Sequence, residues 1–125
     1  MFTIMFTFSG FVQGNIINST DHHLYSDIGK TIILSCSYST SSNAPYLFWY
    51  RQYPQQMQYI LSRGGKSQSS LKFDNTEMEP GKFQSETNNT HTTLTIHRLS
   101  VLDSAVYLCA LRDGAQYCRC AQLHY

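Results

Sequence analysis

The sequence predicts an all-β fold in which two antiparallel sheets pack face to face. Apolar and polar residues alternate over short segments, the pattern of strands that bury only one face. Turns rich in Gly, Pro, Asn and Ser separate these segments at short, regular intervals. With 125 residues, of which 42% are apolar, the chain is long enough to bury the core of one domain.

About eight strands are predicted, and the inward face is clearest in the segment that begins at Lys30. Ile32, Leu34, Cys36 and Tyr38 share one face there, and Thr31, Ser35 and Ser37 lie on the other. The other well-defined segments are 46–53, 57–62, 71–73, 82–86, 92–97 and 105–111. A sandwich is the architecture that hides one face of each such strand.

Charge and motifs exclude several classes of function. Only 14% of the residues are charged, the formal net charge is +1, and Lys and Arg form no cluster, so nucleic-acid binding is not expected. The five histidines have no metal-binding spacing with acidic residues. No GxSxG, HExxH, P-loop or dinucleotide motif occurs. We therefore expect no catalysis, no cofactor and no bound metal ion.

The first fourteen residues have the character of a secretory signal peptide. Residues 1–12 are apolar and uncharged, but they are too few to span a bilayer, which needs about 20. The small residues at 12–14 fit cleavage before Asn15. The positively charged residues that usually begin a signal peptide are missing, so a buried first strand is the alternative. We expect a signal peptide at 1–14, a folded domain at 15–112 and a separate tail at 113–125.

Cys36, Trp49 and Cys109 have the spacing that is the signature of the immunoglobulin sandwich. The cysteines lie roughly seventy residues apart, and Trp49 follows the first by thirteen residues. A disulfide would join the two sheets, with the indole packed on the sulfur atoms and with Leu34 and Leu94 around them. Closing so long a loop stabilises a fold by about 4 kcal/mol in the chain-entropy model. Two buried cysteines that remain reduced are the alternative.

The run from Asp103 to Cys109 carries a second signature. Tyr107 stands two residues before Cys109, where the phenol is buried and its hydroxyl can bond back to the preceding turn, an arrangement called the tyrosine corner. Asp103 lies at the same corner and can pair with Lys82. An exposed ion pair would contribute little, whereas a partly buried one would fix this end of the sandwich.

Residues from about 15 to 111 resemble an immunoglobulin variable domain, and more narrowly a T-cell receptor alpha or delta variable region. The resemblance rests on these residues and runs: Gly29, Leu34, Cys36, Trp49 to Gln52, Leu94 to Ile96, Asp103 to Cys109, and Ala110 with Leu111. It implies a V-type Greek-key sandwich. Leu108 departs from the tyrosine that is commoner in the family, but it keeps the apolar character.

The resemblance also implies a face that binds a partner chain. Trp49 points inward, so Phe48, Tyr50 and Gln52 alternate onto the opposite face of their strand. In this family that face packs against the V domain of a beta or gamma chain, and the residue matching Gln52 bonds across the pair. An aromatic patch is consistent with an interface. A face half covered by the chain's own loop is the alternative.

Antigen binding is implied for three loops at one end of the sandwich, which would contact peptide presented by a histocompatibility molecule. The predicted contact residues are Thr40, Ser41, Ser42, Asn43, Ala44, Pro45 and Tyr46, then Gly64, Gly65, Lys66, Ser67 and Gln68, then Leu111 and Arg112. Their Ser, Asn, Gly and Tyr content suits adaptable polar contacts, although surface loops in general share it. Two sequons, at Asn18 and Asn88, permit N-glycans in a secreted protein.

The segment 113–125 does not continue the strand pattern. The family's last strand comes from a joining segment with Phe-Gly-x-Gly, which is missing after Cys109, so we expect the final strand to be missing. Codons for residues 115–117 can contain CACAGTA, close to the heptamer that directs recombination. This predicts that the tail is read-through of an unrearranged germline segment, whereas a diverged third loop is the alternative. Cys118, Cys120 and His124 lack a fourth ligand for zinc.

Two functions are therefore weighed. The resemblance implies an antigen-recognition module that reaches the extracellular face of the plasma membrane through the secretory pathway. It would be joined to a constant region and associated with invariant signalling subunits. The alternative is a non-rearranging V-like adhesion or co-receptor domain with a fixed ligand. Without its final strand the isolated chain would expose a sheet edge, so we expect poor solubility.

Overall fold

The computed structural model of the chain describes residues 16–19 and 26–112 with their side chains, and only the backbone of residues 3–5, 113 and 116–124. These residues form ten strands and two short 3₁₀ helices, at Lys66–Gln68 and Val101–Asp103. The strands are β1 (Thr3–Met5), β2 (Ile16–Ser19), β3 (Ile32–Ser39), β4 (Pro45–Tyr53), β5 (Gln56–Gly64), β6 (Lys72–Asp74), β7 (Phe83–Thr87), β8 (His91–Ile96), β9 (Val106–Asp113) and β10 (Gln116–His124).

The strands pair antiparallel in two sheets. One sheet has the order β1-β10-β9-β4-β5-β6, and the other has the order β2-β3-β8-β7. The central pairs β4–β9 and β3–β8 join strands that are far apart in the sequence, as in Greek-key connections. The predicted all-β sandwich of two antiparallel sheets is confirmed.

The core lies between the sheets and is built from alternate residues of the central strands. Leu34, Cys36, Trp49 and Cys109 are completely buried, and Cys36 forms a disulfide with Cys109. The Trp49 indole donates its N–H to Thr92 Oγ1 at 3.3 Å, so its buried polar atom has a partner. The disulfide and the indole thus lie at the centre of the core, midway between the two ends of the strands.

The expectation that the final strand is missing is wrong for the backbone. Residues 116–124 form β10, which pairs with β9 from Gln116 opposite Asp113 to His124 opposite Val106. The register shifts between Tyr117 and Arg119. An uncovered β9 would present a row of backbone donors and acceptors, which an extended segment can bond whatever its side chains are. Closing the sheet therefore did not require the Phe-Gly-x-Gly motif on which the expectation rested.

The two ends of the chain are described only in part. Thr3–Met5 forms β1, which pairs with β10, while the rest of the predicted signal peptide at 1–14 lies outside the described residues. The side chains of Cys118, Cys120 and His124 also lie outside them. The signal peptide and the read-through origin of the tail therefore stay predictions.

Candidate functional site

One end of the sandwich is organised around the buried carboxylate of Asp103. This residue is 2% exposed, and its two oxygens bind different cations. Lys82 Nζ lies 2.7 Å from Oδ2, and Arg51 Nη1 lies 3.3 Å from Oδ1. Lys82 Nζ also donates to the carbonyl of Arg98 at 2.8 Å. Because the carboxylate and the Lys82 ammonium are largely withdrawn from water, removing either partner would leave an uncompensated buried charge and would cost more than breaking a surface ion pair.

The same residue holds the turn that connects β8 to β9. The backbone N–H of Ser100 donates to Asp103 Oδ2 at 2.8 Å, which caps the short helix 101–103. The Tyr107 hydroxyl donates to the carbonyl of Asp103 at 2.8 Å, which is the tyrosine-corner bond. Burial, the largest cause, raises the pKa of the Tyr107 phenol well above its usual value.

Arg51 is a member of this cluster whose pairing with Asp103 is not evident from the sequence. Its guanidinium lies over the rings of Tyr53 and Phe83, with 5.2 Å and 5.3 Å to the ring centroids. The sequence holds one sign of this pairing. Arg51 stands two residues after the inward-facing Trp49 and therefore lies on the same side of the strand. An arginine on the inward side of a strand needs a buried acid or aromatic rings as partners.

The outer face of β4 carries aromatic residues, as the alternation predicts. Phe48 and Tyr50 are half-buried and stack with ring centroids 6.2 Å apart, and Gln52 is exposed. Tyr50 also meets the edge of Tyr59 on the neighbouring strand at 5.7 Å. The Tyr59 hydroxyl donates to the carbonyl of Phe73 at 2.8 Å, which fixes the ring at this face. We call Phe48, Tyr50, Gln52 and Tyr59 the outer aromatic face.

A groove of about 380 Å³ continues the outer aromatic face towards the end of the sandwich at which β4 begins. Its remaining lining comes from Tyr46, Ser62, Phe73 and Arg112. Phe73 is 53% exposed, which is high for a ring of this size. The groove therefore extends from the aromatic surface to Tyr46 and Arg112, two of the predicted contact residues.

The first predicted loop, between β3 and β4, is shaped by short side-chain bonds to its own backbone. The N–H of Ser42 donates to Thr40 Oγ1 at 3.1 Å, and the N–H of Ala44 donates to Ser42 Oγ at 3.0 Å. Such hydroxyl turns give a loop a defined shape without a helix or strand.

The second predicted loop is bound to the first. The N–H of Gly65 donates to the carbonyl of Pro45 at 2.9 Å, and the N–H of Ser67 donates to the carbonyl of Asn43 at 3.1 Å. Lys66 Nζ adds a bond of 2.7 Å to the carbonyl of Thr40. The Ser67 hydroxyl also donates to the carbonyl of Asn43. These four bonds join the two loops into one surface.

The predicted loops are too long at several positions. Pro45 and Gly64 are buried ends of β4 and β5, Gly65 is buried beside them, and Tyr46 belongs to β4. Leu111 lies in β9 with no exposure, so it cannot contact a ligand. Strand pairing extends further than turn composition suggested, because β4 and β9 pair along their whole length. The residues of the two loops that remain exposed are Ser41, Asn43 and Ser67.

The two sequons differ in their surroundings. Asn18 lies within β2, opposite Ser37, and its Oδ1 atom is buried without a partner among the described residues. Asn88 is exposed in the turn between β7 and β8, where its Oδ1 accepts bonds from the N–H groups of Thr90 and His91. Access for a modifying enzyme is therefore better at Asn88.

Comparison with known proteins places this architecture in a family. The family model described as the immunoglobulin V-set domain matches residues 20–119. The human T cell receptor alpha variable 3 is 34% identical over 90% of this chain and 94% of its own length. A rabbit T-cell receptor alpha chain V region, RL-5, is 32% identical over 82% of this chain and 72% of its own length. The chain belongs to the immunoglobulin V-set family, among the T cell receptor alpha variable domains.

A solved structure agrees with this assignment at the level of the fold. A marsupial T cell receptor superposes on this V-set domain with a TM-score of 0.69 and 21% identity, over 83% of this chain and 48% of the receptor chain. T cell receptors are membrane receptors. Within the described part of this V-set domain, no helix is long and apolar enough to cross a membrane.

Proposed function

We propose that the chain is the antigen-recognition module of a T cell receptor alpha or delta chain. In this proposal it pairs with the V domain of a beta or gamma chain and binds peptide presented by a histocompatibility molecule. The observation that supports it is the outer aromatic face, together with two loops that are bonded to each other at the end of the sandwich where β4 begins. The chain would act by surface complementarity, without chemistry of its own.

Pairing would use the outer aromatic face. Burying the rings of Phe48, Tyr50 and Tyr59 removes apolar surface from water, which is favourable by about 25 cal/mol per Å² before the entropy cost of association is subtracted. Gln52 is exposed at the same face and offers both a donor and an acceptor. An amide that is bonded to its counterpart on the partner would fix the register of the two domains, because a buried unpaired amide is costly.

Antigen binding would use the loop end of the sandwich. Ser41, Asn43 and Ser67 are exposed there and present hydroxyl and amide groups suited to adaptable contacts. Since the loops are already bonded to each other, less conformational entropy is lost on binding. The receptor would reach the extracellular face of the plasma membrane through the secretory pathway, with invariant signalling subunits associated through the rest of its chains.

A pairing assay tests the first half of this proposal. The V domain, joined to an alpha constant region, is co-expressed with beta and gamma chains, and surface receptor is counted by flow cytometry. We expect Tyr50→Ala and Gln52→Ala to lower the surface level several-fold, since central interface residues typically contribute 1–2 kcal/mol or more. The matched control is Ile33→Ala, an apolar residue 57% exposed on the outer face of the other sheet. Equal losses in control and test variants would contradict the proposal.

A second candidate function, a V-like adhesion or co-receptor domain with a fixed ligand, is favoured by one observation. Residues 116–124 supply β10, so the sheet can close without a joining segment. Sequencing lymphocyte transcripts that encode Trp49 to Cys109 separates the two functions. Codons after Leu111 that vary between cells and lead into Phe-Gly-x-Gly support the receptor. Transcripts that all keep residues 113–125 support the fixed domain.

A further inference from the structure

A polar cleft opens at the edge of the sandwich, between strand β7 of one sheet and strands β5 and β6 of the other. Its volume is about 280 Å³, and Arg63, Lys72, Ser85, Glu86 and Thr87 contribute to its lining. The cleft is separate from the groove beside the outer aromatic face, with which it shares no lining residue. It therefore does not belong to the proposed pairing surface.

The strand registers explain why polar groups meet in this cleft. Ser85 and Thr87 alternate with the exposed residues of β7 and lie opposite the buried Leu94 and Thr92 of β8, so they face the other sheet. On that sheet Arg63 of β5 lies directly opposite Lys72 of β6, which places both on the same face. At this edge the gap between the sheets is thus lined by hydroxyl groups and cations.

Two buried atoms of the cleft have no hydrogen-bond partner among the described residues, Arg63 Nε and Ser85 Oγ. Arg63 is only 9% exposed. Its Nη1 atom donates to the carbonyl of Ser62 at 2.9 Å and to Asp74 Oδ1 at 2.8 Å, which leaves the Nε–H as a free buried donor. Buried polar groups in folded proteins are nearly always bonded, and an unbonded donor on a charged group is the costliest case. Both residues line the cleft, and a ligand that accepted from both atoms would satisfy them.

We propose that this cleft binds a small carboxylate. A carboxylate carries two acceptor oxygens, one for the Nε–H of Arg63 and one for the Ser85 hydroxyl, and arginine is the preferred partner of that group. Lys72 adds a positive charge on the same side. Glu86 at the rim favours an anion of single charge over a dianion such as sulfate. The proposal concerns a different surface from the proposed function and does not rest on it.

Nuclear magnetic resonance of arginine Nε–H groups in the full chain tests this site. The chain is titrated with sodium acetate, and sodium chloride and sodium sulfate are added in parallel at matched ionic strength. We expect the Arg63 Nε–H signal to shift with acetate until the site is saturated. Sulfate should cause a smaller shift, and chloride should cause only a weak one. A linear response equal to that of chloride would overturn the proposal, and tighter binding of sulfate would overturn the choice of a carboxylate.

Variants test whether the shift that acetate causes in the Arg63 Nε–H signal arises from binding in the cleft. We expect Ser85→Ala to weaken acetate binding about tenfold, because hydrogen bonds to charged groups contribute on the order of 1.5–3 kcal/mol. The matched control Ser104→Ala removes an exposed serine at the Asp103 end and should leave the titration unchanged. Since the Ser85 hydroxyl has no partner, its removal should not lower the melting temperature, so loss of binding cannot be confused with unfolding. Unaltered acetate binding in Ser85→Ala would contradict the proposal.

A second probe, sodium glucuronate, distinguishes a small free acid from the carboxylate of a larger molecule. Saturation by acetate alone indicates a site for small free acids, whereas saturation by both indicates that the carboxylate of a larger molecule can enter. Arg63→Lys keeps the positive charge but removes the Nε–H, so its titration is followed at the backbone amides of Ser85 and Glu86, which should shift with acetate in the parent chain. We expect saturation by either probe to be lost at these amides in the variant. Retained saturation in that variant would overturn the role given to Arg63.

Discussion

The two ends of the sandwich are held together by different kinds of bond. β4 runs from one end to the other, starting at Pro45 beside the loops and finishing at Tyr53, whose hydroxyl donates to the carbonyl of Leu102 at 2.7 Å. Around Leu102 charged and phenolic side chains converge on Asp103, in addition to backbone bonds such as that from the Leu99 N–H to the carbonyl of Lys30. At Pro45 four bonds join the loops, two between backbone atoms and two from the side chains of Lys66 and Ser67 to backbone carbonyls, and none of the four involves an acidic group.

This difference has a consequence for sequence variation. A side-chain bond requires a particular residue, whereas a backbone bond can be made by almost any residue. The Asp103 end therefore tolerates few substitutions, while the exposed loop residues can change without loss of the loop shape. A binding module that must present different side chains on one scaffold needs this division, with the fixed end at one pole and the variable surface at the other.

The largest effect should come from the Asp103 end. Asp103→Ala leaves the cations of Lys82 and Arg51 without their buried counter-ion, and breaking such a group costs about 3–5 kcal/mol. We expect the free energy of unfolding in urea to fall by that amount. The control is Glu79→Ala, which breaks an ion pair with Arg98 in which both side chains are more than half exposed and should cost less than about 1 kcal/mol. Similar losses for the two variants would refute the special role of this end.

The next largest effect tests whether the loop end depends on the close contact between Gly64 and the backbone of Gln68. A Cβ atom added at Gly64 would lie 2.0 Å from the backbone oxygen of Gln68, so Gly64→Ala must displace the second loop. We expect a loss of about 1–3 kcal/mol in the free energy of unfolding. Ser41→Ala, an exposed change in the first loop, should cost less than about 0.5 kcal/mol. A Gly64→Ala variant as stable as the parent would show that the contact is not a constraint.

The features that the sequence predicted well are those in which one residue type at one spacing has a single structural use. Cys36, Trp49 and Cys109 lie together in the core, and Lys82 lies against Asp103, as their positions suggested. Strand alternation likewise located the outward side of β4, because the side-chain period of a strand is fixed by its backbone.

The features that were missed depend on backbone pairing or on a residue with several possible uses. Arg51 looked like one more position of a family motif, and only the packed structure shows that it shares Asp103 with Lys82. β10 was not foreseen because pairing at a sheet edge needs backbone groups and not a side-chain pattern. The same cause made the predicted loops too long at Pro45, Gly64 and Leu111, where pairing continues to the strand ends.

A smaller effect comes from the tyrosine corner and appears in the pH dependence. Tyr107→Phe removes the bond to the carbonyl of Asp103 and should cost about 1 kcal/mol at neutral pH. Burial raises the pKa of Tyr107 from its ordinary value of 10.0. Above about pH 10 the unfolded chain therefore loses this proton while the folded chain keeps it, so stability falls as pH rises.

Urea unfolding between pH 8 and pH 11 checks this expectation. The decline should be shallower in Tyr107→Phe than in the parent chain. It should not vanish, because burial also raises the pKa of Tyr38 near the loops and of Tyr53 near Asp103. If the pH profiles of parent and variant superimpose, Tyr107 is not a source of the decline in stability at high pH.

The smallest effect on stability should come from Lys66, one of two side chains that bond the second loop to the first. Lys66→Ala removes one donor to the carbonyl of Thr40 but leaves the two backbone bonds of Gly65 and Ser67. We expect a change below about 0.5 kcal/mol in the free energy of unfolding. Amide hydrogen exchange should remain slow at Gly65 and Ser67, because their N–H groups keep their acceptors. Fast exchange at both amides would show that the lysine holds the loops together, and the two ends of the sandwich would then be stabilised in the same way.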